Sequence, residues 1–372
     1  MLDPHSPLSA AFRRTVSEQI DAFLELQRPV LAEMGPELAS VHQMASDLLS
    51  GGKRLRPAFA VWSYVAARGL PDQELTALVA AASSLEMLHV SALVHDDVMD
   101  SSDLRRGGPA AHRQFETLHL ASAWLGDAAA FGRAGAILLG DLLLMWSVEM
   151  LQRSGLPDST LAPALPILQA MRTEVTCGQY LDVLAQAHPL DQSTDVAAAA
   201  GVSSALDEAN RVVEYKSARY TVQRPSQMGA ALGGGDPRLQ EALAAYGSPL
   251  GRAFQFRDDL LGVFGDTQLT GKPTGDDLRE GKRTVLVAHA YAGTDDAGRR
   301  LLAQLLGDPD LGADGVSALQ QVITESGARE RCEAMISAGH DAALNALGGA
   351  EMTAEGRTAL TALADAAVRR VF

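Results

Sequence analysis

Apolar residues recur at helical spacing through most of the chain, and this periodicity constrains the fold more than any other feature. Near the N-terminus, Phe12, Val16 and Ile20 are four residues apart, as one face of a helix requires. Four longer apolar stretches predict further helices, at 75–100, 133–152, 163–186 and 248–266. Stretches rich in Gly, Pro, Asp or Ser predict loops at 188–209, 233–237 and 265–282. With no strand-like alternation, the chain is predicted to be all-α, a single large helical bundle over residues 1–372.

Composition and charge narrow the class of protein. Apolar residues make up 47% of the chain and aromatic residues 5%, which allows a large core and favours helices over sheets. The net charge of −15 argues against a nucleic-acid partner. The N-terminus lacks the apolar core of a secretory signal, and no uncharged apolar run approaches the roughly 20 residues of a membrane span. A protein that is not integral to a membrane is therefore expected. Cys177 and Cys332 have neither disulfide nor zinc spacing, which favours the reducing cytoplasm as its location.

Three carboxylates stand where the apolar stretch 75–100 ends. Asp96 and Asp100 are four residues apart, and Asp97 and Asp100 are three apart, so they share one helix face. Like charges at this spacing repel unless a cation binds, and carboxylate oxygens suit Mg²⁺, which also binds phosphates. The calcium-binding EF-hand pattern is absent. A solvated helix end with capping residues explains one such cluster equally well, so both interpretations stay open for it.

A second acidic pair makes a metal site the better interpretation. Asp258 and Asp259 lie within the apolar stretch 248–266, and Asp266 ends it. Two such pairs in apolar settings are poorly explained as independent solvated surfaces. If they face each other across a bundle, they can hold several divalent ions. A site of this kind would bind and activate a diphosphate.

Cationic residues accompany both acidic pairs. The segment GGKRLRP supplies Lys53, Arg54 and Arg56 after two glycines, which let the backbone approach a phosphate closely. Arg105 and Arg106 follow the first acidic pair. Three lysines stand in or near the later motifs, namely Lys216, Lys272 and Lys282. Arginine forks and lysine charges both suit the oxygens of a diphosphate.

In combination, these motifs resemble those of the trans-isoprenyl diphosphate synthases, also called polyprenyl synthetases, and of geranylgeranyl diphosphate synthases among them. The matching stretches keep the family's order: GGKRLRP, LHVSALVHDDVMDSSDLRRG, GQYLD, YKSARY, FQFRDDLLGVFGD and GKPTGDDLREGKRT. They span about residues 51–284. The joint match is specific, although no single motif is. It implies a helical bundle of the isoprenoid synthase type with a central active-site cavity.

The resemblance also implies Mg²⁺ as the cofactor, with about three ions when substrate is bound. Asp96, Asp97 and Asp100 match the family's first aspartate-rich motif, which holds Mg²⁺ on the allylic diphosphate. Together with a set of fixed positive charges, these ions would stabilise the diphosphate as it leaves.

The second motif departs from the family's pattern at one position. Gln255, Asp258 and Asp259 match it, with Asp258 as the direct metal ligand. Asp259 and Asp266 are then candidates for contact through water or through another ligand. A third aspartate often stands where this chain has Gly262. We therefore expect activity to persist without a metal contact at that position.

The implied substrates are isopentenyl diphosphate and an allylic diphosphate (dimethylallyl, geranyl or farnesyl). Arg105 would contact the allylic diphosphate and Arg106 the isopentenyl diphosphate. Lys53 and Arg56 match the pair that grips isopentenyl diphosphate, and His89 matches a polar residue for the same group. The remaining matches are Gln179 and Asp182 near the metals, Lys216 and Ser217 in place of a Lys-Thr pair, and Lys272 after the second motif.

The reaction implied is a condensation that begins with ionisation. The allylic C–O bond breaks to a resonance-stabilised cation, the C=C of isopentenyl diphosphate attacks it, and a proton leaves, to the released diphosphate for example. No side-chain general base is required. The growing chain needs a dry tunnel, which explains why the carboxylates end an apolar helix.

Side chains before the first motif predict the product length. A helix rises about 1.5 Å per residue, so Ser91, five before Asp96, should lie roughly 7–8 Å down the tunnel, next to Ala92. Both are small, whereas short-chain members of the family often carry a bulky aromatic there. Met87 and Leu88 would form the floor about one turn deeper. This predicts geranylgeranyl diphosphate, with twenty carbons; close packing by a neighbouring helix is the alternative reason for small residues.

Several alternatives remain from the sequence. A farnesyl or longer-chain polyprenyl diphosphate synthase would share every motif. A class I terpene cyclase binds one diphosphate, would not need GGKRLRP, and usually carries a different second metal motif. A non-catalytic synthase subunit would show eroded aspartates. The family is commonly homodimeric, so a homodimer is expected.

Overall fold

The computed structural model describes residues 2–71, 74–188, 197–265 and 274–369, apart from the side chains of 197–204. The first helices are α1 Ala10–Met34, α2 Ala39–Leu49, α3 Leu55–Arg68, α4 Leu75–Met99, α5 Ala111–Ala121, α6 Ala128–Gln152, α7 Asp158–Leu161 and α8 Leu165–Ala187. Then follow α9 Ala197–Val212, a π-helix Val213–Gln223, α10 Arg224–Leu232 and α11 Pro237–Phe264. The last helices are α12 Asp276–Arg279, α13 Val285–Gly293, α14 Asp296–Leu305, α15 Ala313–Glu325, α16 Ala328–Gly348 and α17 Ala354–Val368.

Two short elements interrupt the helices. A 3₁₀ turn, Pro36–Leu38, joins α1 to α2. Between α4 and α5, β1 Leu104–Arg105 pairs antiparallel with β2 Gly108–Pro109. The turn of this hairpin has positive φ at Arg106 (54°) and at Gly107 (80°). These strands were not predicted, because two residues are too few to show an alternating pattern.

The helices that carry the aspartate pairs are both core helices. Helix α4 is apolar on most sides, and it packs along α6 and against α1 and α3. Helix α11 packs along α16 and against the π-helix. Because each helix is held by neighbours on several sides, packing fixes the positions of the carboxylates at their C-terminal ends.

The all-α prediction is confirmed, and helices α4, α6, α8 and α11 cover most of the described residues of the four long apolar stretches. The loop prediction for 188–209 is wrong from residue 197, where α9 begins. Four consecutive alanines at 197–200 have the highest helix propensity, which outweighs Gly201 and the serines that follow. Of the stretch 265–282, residues 266–273 lie outside the described residues, and α12 interrupts the remainder. The single-domain assignment stays a prediction.

Two described helices, α4 and α6, are long and apolar enough to cross a membrane by length and composition alone. This is weak evidence for a membrane span, since the core helix of a globular protein passes the same test. The most apolar window of α4 is 78% buried inside the protein, whereas that of α6 is 44% buried. Helix α6 therefore leaves part of its apolar surface exposed.

Both cysteines are free thiols, as the sequence predicts. Cys177 is exposed on α8, and Cys332 is buried on α16. Burial raises the pKa of the Cys332 thiol to about 12, so it is protonated and unreactive. The cellular compartment stays a prediction.

Candidate active site

A cavity of about 630 Å³ opens between α4, α8, the π-helix and α11. Its acidic lining residues are Glu86, Asp96, Asp182, Asp258, Asp259, Asp276 and Asp277. Its basic lining residues are Lys53, Arg54, Arg56, Arg105, Arg106, Lys216, Lys282 and Arg283. Apolar walls come from several helices and include Ala92, Leu93, Val175, Val213 and Phe254. The cavity therefore combines carboxylates, a large set of cations and dry surface.

The first acidic cluster consists of Asp96, Asp97 and Asp100, at the C-terminal end of α4. Asp96 Oδ1 accepts hydrogen bonds from Gln179 Nε2 at 2.8 Å and from Lys216 Nζ at 3.0 Å. Burial alone would raise the pKa of Asp96, but the charges of Lys216 and Lys282 outweigh it and hold this pKa below its ordinary value. Asp96 is therefore an ionised carboxylate on the cavity wall.

The other two carboxylates of this cluster are paired with protein cations. Arg105 Nε lies 2.9 and 3.1 Å from the two oxygens of Asp97, which is 2% exposed and lies outside the cavity wall. Asp100 Oδ2 lies 3.5 Å from Lys282 Nζ. Burial and the neighbouring charge of Asp96 raise the pKa of Asp100 to about 6. Of the three predicted metal ligands in this first cluster, Asp96 is thus the one that lines the cavity.

Lys216 is held between carboxylates of two helices. Its Nζ lies 3.0 Å from Asp96 Oδ1 and 2.6 Å from Asp182 Oδ2. Burial lowers the pKa of a lysine, but these two carboxylates outweigh it and raise the pKa of Lys216. The π-helix places Lys216 on the cavity together with Ser217 and Thr221, since its wider turn brings residues five apart toward one face.

The second acidic cluster consists of Asp258, Asp259 and their helical neighbour Gln255 near the end of α11. Asp259 is 4% exposed, and its Oδ1 accepts a hydrogen bond from Gln255 Nε2 at 2.8 Å. Its Oδ2 is buried without a hydrogen-bond partner among the described residues. Burial, supported by the charges of Asp277 and Asp258, raises the pKa of Asp259 well above its ordinary value. This buried carboxyl needs a cation before it can ionise at low cost.

Lys282, one of the three lysines near the later motifs, pairs with Asp100 of the first cluster and with two carboxylates of its own segment, Asp277 and Glu280. Its Nζ lies 2.6 Å from Glu280 Oε2, and 3.5 Å from both Asp100 Oδ2 and Asp277 Oδ1. These carboxylates outweigh the effect of burial and raise the pKa of Lys282 well above its ordinary value. The signal in the sequence was GDDLREGK, in which one lysine follows three carboxylates.

The basic wall is ordered by aromatic and hydroxyl contacts. Arg56 Nη2 donates to Thr221 Oγ1 at 3.0 Å, and its guanidinium lies 4.3 Å from the centre of the Tyr220 ring. Tyr220 Oη lies 3.4 Å from His89 Nδ1. Burial and the charges of Arg56 and Arg106 hold the pKa of His89 well below its ordinary value, so this ring is neutral. Tyr220, four residues after Lys216, was not among the predicted site residues.

All three cations of GGKRLRP line the cavity, and Arg54 is in addition paired inside the protein. Arg54 forms a buried ion pair with Glu86 at 2.9 Å and donates to the Leu49 carbonyl at 2.6 Å. Much of its charge is therefore balanced by Glu86. Lys53 and Arg56 line the cavity, and both are predicted binding residues. On the facing hairpin, Arg106 also lines the cavity and reaches the Leu48 carbonyl at 3.3 Å.

The structure corrects the predicted tunnel wall at Ser91. Ser91 Oγ donates to the Gly140 carbonyl of α6 at 2.7 Å, so this side chain belongs to the α4–α6 contact and not to the cavity. Ala92 does line the cavity. Met87 and Leu88 are buried, and neither belongs to the cavity wall. Neighbouring side chains on a helix point about 100° apart. The predicted tunnel wall rested on the rise along the helix axis alone, without this rotation.

Two sequence predictions cannot be placed. Lys272 and Asp266 both lie outside the described residues. The remaining predicted site residues, Gln179, Asp182, Ser217 and Gln255, all line the cavity.

The residues present fit Mg²⁺ held jointly by protein and diphosphate. Among the described residues, no three carboxylate, imidazole or thiolate groups converge to form a cage for a metal by themselves. Mg²⁺ characteristically binds one or two carboxylates, several waters and substrate phosphates. The buried oxygens Asp259 Oδ2 and Asp100 Oδ2 have no hydrogen-bond partner in the described structure. Hard oxygen donors on two helices, facing a cationic wall, suit that kind of binding.

Comparison with known proteins agrees with this geometry. The family model for polyprenyl synthetase matches residues 39–323. A short chain isoprenyl diphosphate synthase of Methanothermobacter thermautotrophicus is 31% identical, over 80% of this chain and 79% of that protein. A geranylfarnesyl diphosphate synthase of Aeropyrum pernix is 32% identical, over 79% and 81%. The crystal structure of geranylgeranyl pyrophosphate synthase from Corynebacterium glutamicum, complexed with isoprenyl diphosphate and magnesium, is 37% identical with a TM-score of 0.90, over 100% of both chains.

The fold and the cavity are thus those of a helical prenyltransferase, with aspartates of two helices, α4 and α11, on one cavity. The chain belongs to the polyprenyl synthetase family and is a trans-prenyl diphosphate synthase. Its relatives make products of different lengths by their names, so membership of the family leaves the product open.

Replacing Asp100 with Asn should stabilise the ligand-free protein at pH 8 by about 1–3 kcal/mol. The pKa of Asp100 rises from 3.8 to about 6 on folding. A carboxyl with a raised pKa favours folding while protonated, and this contribution is lost as the pH rises from about 4 through 6. Asn stays neutral and avoids that loss.

Urea unfolding at a series of pH values measures this effect. The gain should vanish below about pH 4, where both carboxyls are protonated. Asp21→Asn, at an exposed position on α1, is the control and should change stability little at any pH. An Asp100→Asn protein no more stable than the wild type at pH 8 would show that the carboxyl carries no such cost.

Proposed function

We propose that this enzyme condenses isopentenyl diphosphate with allylic diphosphates in a Mg²⁺-dependent reaction, and that its main product is all-trans geranylgeranyl diphosphate. The observation that carries the proposal is the joint cavity of α4 and α11. Asp96 of α4 and the pair Asp258 and Asp259 of α11 line it together, and a wall of lysines and arginines surrounds them. Two diphosphates bring four or more negative charges, which lysines, arginines and bound metal ions can balance.

The chain's own residues bind and orient the two substrates. Lys53 and Arg56 grip isopentenyl diphosphate, with Arg106 and neutral His89 beside them. Arg105 reaches the allylic diphosphate. The two diphosphates thereby lie side by side, with the C=C of one aimed at the allylic carbon of the other. Binding both substrates in this orientation lowers the entropic part of the activation barrier for a reaction between two molecules.

The charges in the cavity favour ionisation of the allylic substrate. When bound between the acidic pairs, Mg²⁺ supplies Lewis-acid stabilisation of the leaving diphosphate. Lys216 and Lys282 stay protonated because carboxylates surround them, so they stabilise the same negative charge without having to reorganise. Lys272 would add a further charge. Apolar walls, among them Leu93 and Phe254, exclude water from the cation, and the released diphosphate accepts the proton.

The role of the acidic pairs is tested by turnover. Asp96→Asn and Asp258→Asn should each lower incorporation of labelled isopentenyl diphosphate by at least about a hundredfold, with the helical fold retained, since a group that stabilises developing charge is worth several kcal/mol. Asp21→Asn, an exposed aspartate, should keep the wild-type rate. Rates near the wild type in either cavity variant at limiting Mg²⁺ would contradict the two-cluster mechanism.

Product length is proposed to depend on Ala92. This small residue lines the cavity four positions before Asp96, so the growing chain can pass it. Ala92→Phe should therefore shift the product from geranylgeranyl toward farnesyl diphosphate. Chromatography of the dephosphorylated products measures the shift.

Ser91→Ala is the matched control, because Ser91 contacts α6 and lies outside the cavity wall. It should leave the product distribution unchanged. An active Ala92→Phe enzyme with unchanged products would show that this face does not limit the chain.

We also propose a homodimer formed through α6. Phe131, Leu138 and Met145 are exposed at intervals of seven residues, so they form one apolar stripe along this helix. Leu125, just before the helix, is 98% exposed. A stripe of this kind suits packing against the same helix of a second copy. Sedimentation velocity should give a species of about twice the chain mass of 39.2 kDa; a monomer at micromolar concentration would contradict the proposal.

A further inference from the structure

The space beside Gly262 is filled by a carboxylate from another segment of the chain. Gly262 lies on α11, and Asp277 lies on α12. A Cβ placed at Gly262 would overlap both Oδ2 and Cγ of Asp277 and would lie 3.0 Å from its Oδ1. Asp277 is a short side chain, so it could escape that overlap only by changing its rotamer. A side chain at position 262 and the present position of Asp277 therefore exclude each other.

That carboxylate stands next to the second acidic cluster. Position 262 is four residues after Asp258 and three after Asp259, so all three share one face of α11. Asp277 and Gly262 both line the cavity. Asp259 Oδ2 is buried there without a hydrogen-bond partner among the described residues, which independently indicates that this corner receives a cation.

Asp277 also connects the second cluster to the first. Lys282 Nζ lies 3.5 Å from Asp277 Oδ1 and 3.5 Å from Asp100 Oδ2. The backbone N–H of Lys282 donates to the Asp277 carbonyl at 3.0 Å. The position of Asp277 therefore bears on where Lys282 places its charge between the two clusters.

We propose that Asp277 supplies the third carboxylate of the second cluster, in the space that a side chain at position 262 would take, and that Gly262 is required to seat it. The oxygens of Asp277 then contribute to binding of Mg²⁺ and its waters, and they fix Lys282. The choice of magnesium diphosphate as the ligand rests on the proposed function, whereas the pairing of the two positions does not.

The pairing is tested first in the ligand-free protein. Gly262→Ala should lower the unfolding temperature of the wild type, although alanine normally stabilises a helix relative to glycine. In an Asp277→Ala background the overlap is gone, so the same substitution should become neutral or stabilising. Gly348→Ala on α16, where a Cβ meets nothing within 4 Å, is the control and should act alike in both backgrounds. Additive effects of Gly262→Ala and Asp277→Ala would overturn the pairing.

The role in binding is tested by calorimetry with Mg²⁺ and inorganic diphosphate. Asp277→Asn keeps the shape of the side chain but removes its charge, and it should weaken binding by about tenfold or more. Asp277→Ala should weaken it as well. The swapped protein, Gly262→Asp with Asp277→Ala, should recover most of the affinity, whereas Gly262→Asp alone should not.

The outcomes separate this inference from the proposed function. A swapped protein that binds no better than Asp277→Ala would overturn the claim that the two positions share one role. A wild-type protein that binds no magnesium diphosphate would instead contradict the proposed function, and the coupling of the unfolding temperatures would still stand.

Discussion

The structure depends on one electrostatic constraint, the burial of many carboxylates around a common cavity. Each acidic group that lines it is expensive to ionise away from water unless a cation lies nearby. Lys216 holds Asp96 and Asp182, while Lys282 holds Asp100 and its neighbours. The remaining imbalance is visible in Asp100 and Asp259, whose pKa values are raised by burial. A magnesium diphosphate would bring the cations that complete this balance. Binding of the ligand would therefore lower the electrostatic cost of the buried carboxylates.

Much of the fold and of the site could be predicted from the sequence, for identifiable reasons. Helices α4 and α11 are long and apolar, so their periodicity is strong and places Asp96 and Asp258 in the last two turns of their helices. The joint order of the motifs then indicates the family. Helix α9 was missed because glycine and serines suggested a loop, while its alanines decide the local structure.

What could not be predicted depends on orientation and on unusual backbone geometry. The π-helix Val213–Gln223 places Thr221, five residues after Lys216, on the cavity wall. In an α-helix, two residues five apart would point in different directions. Ser91 and Ala92 are both small, yet only a three-dimensional arrangement shows that one faces α6 and the other the cavity. The partnership of Gly262 with Asp277 joins two segments fifteen positions apart, and no local pattern signals it.

The central claim is that the two acidic clusters bind magnesium and diphosphate jointly. The most direct measurement is the unfolding temperature of the wild-type protein with Mg²⁺, with inorganic diphosphate, and with both. Ligand present at a hundred times its dissociation constant stabilises a protein by about 2.7 kcal/mol. We predict a clear rise with both components together and little change with either alone. An equal rise with diphosphate alone, or no rise with both, would contradict the account.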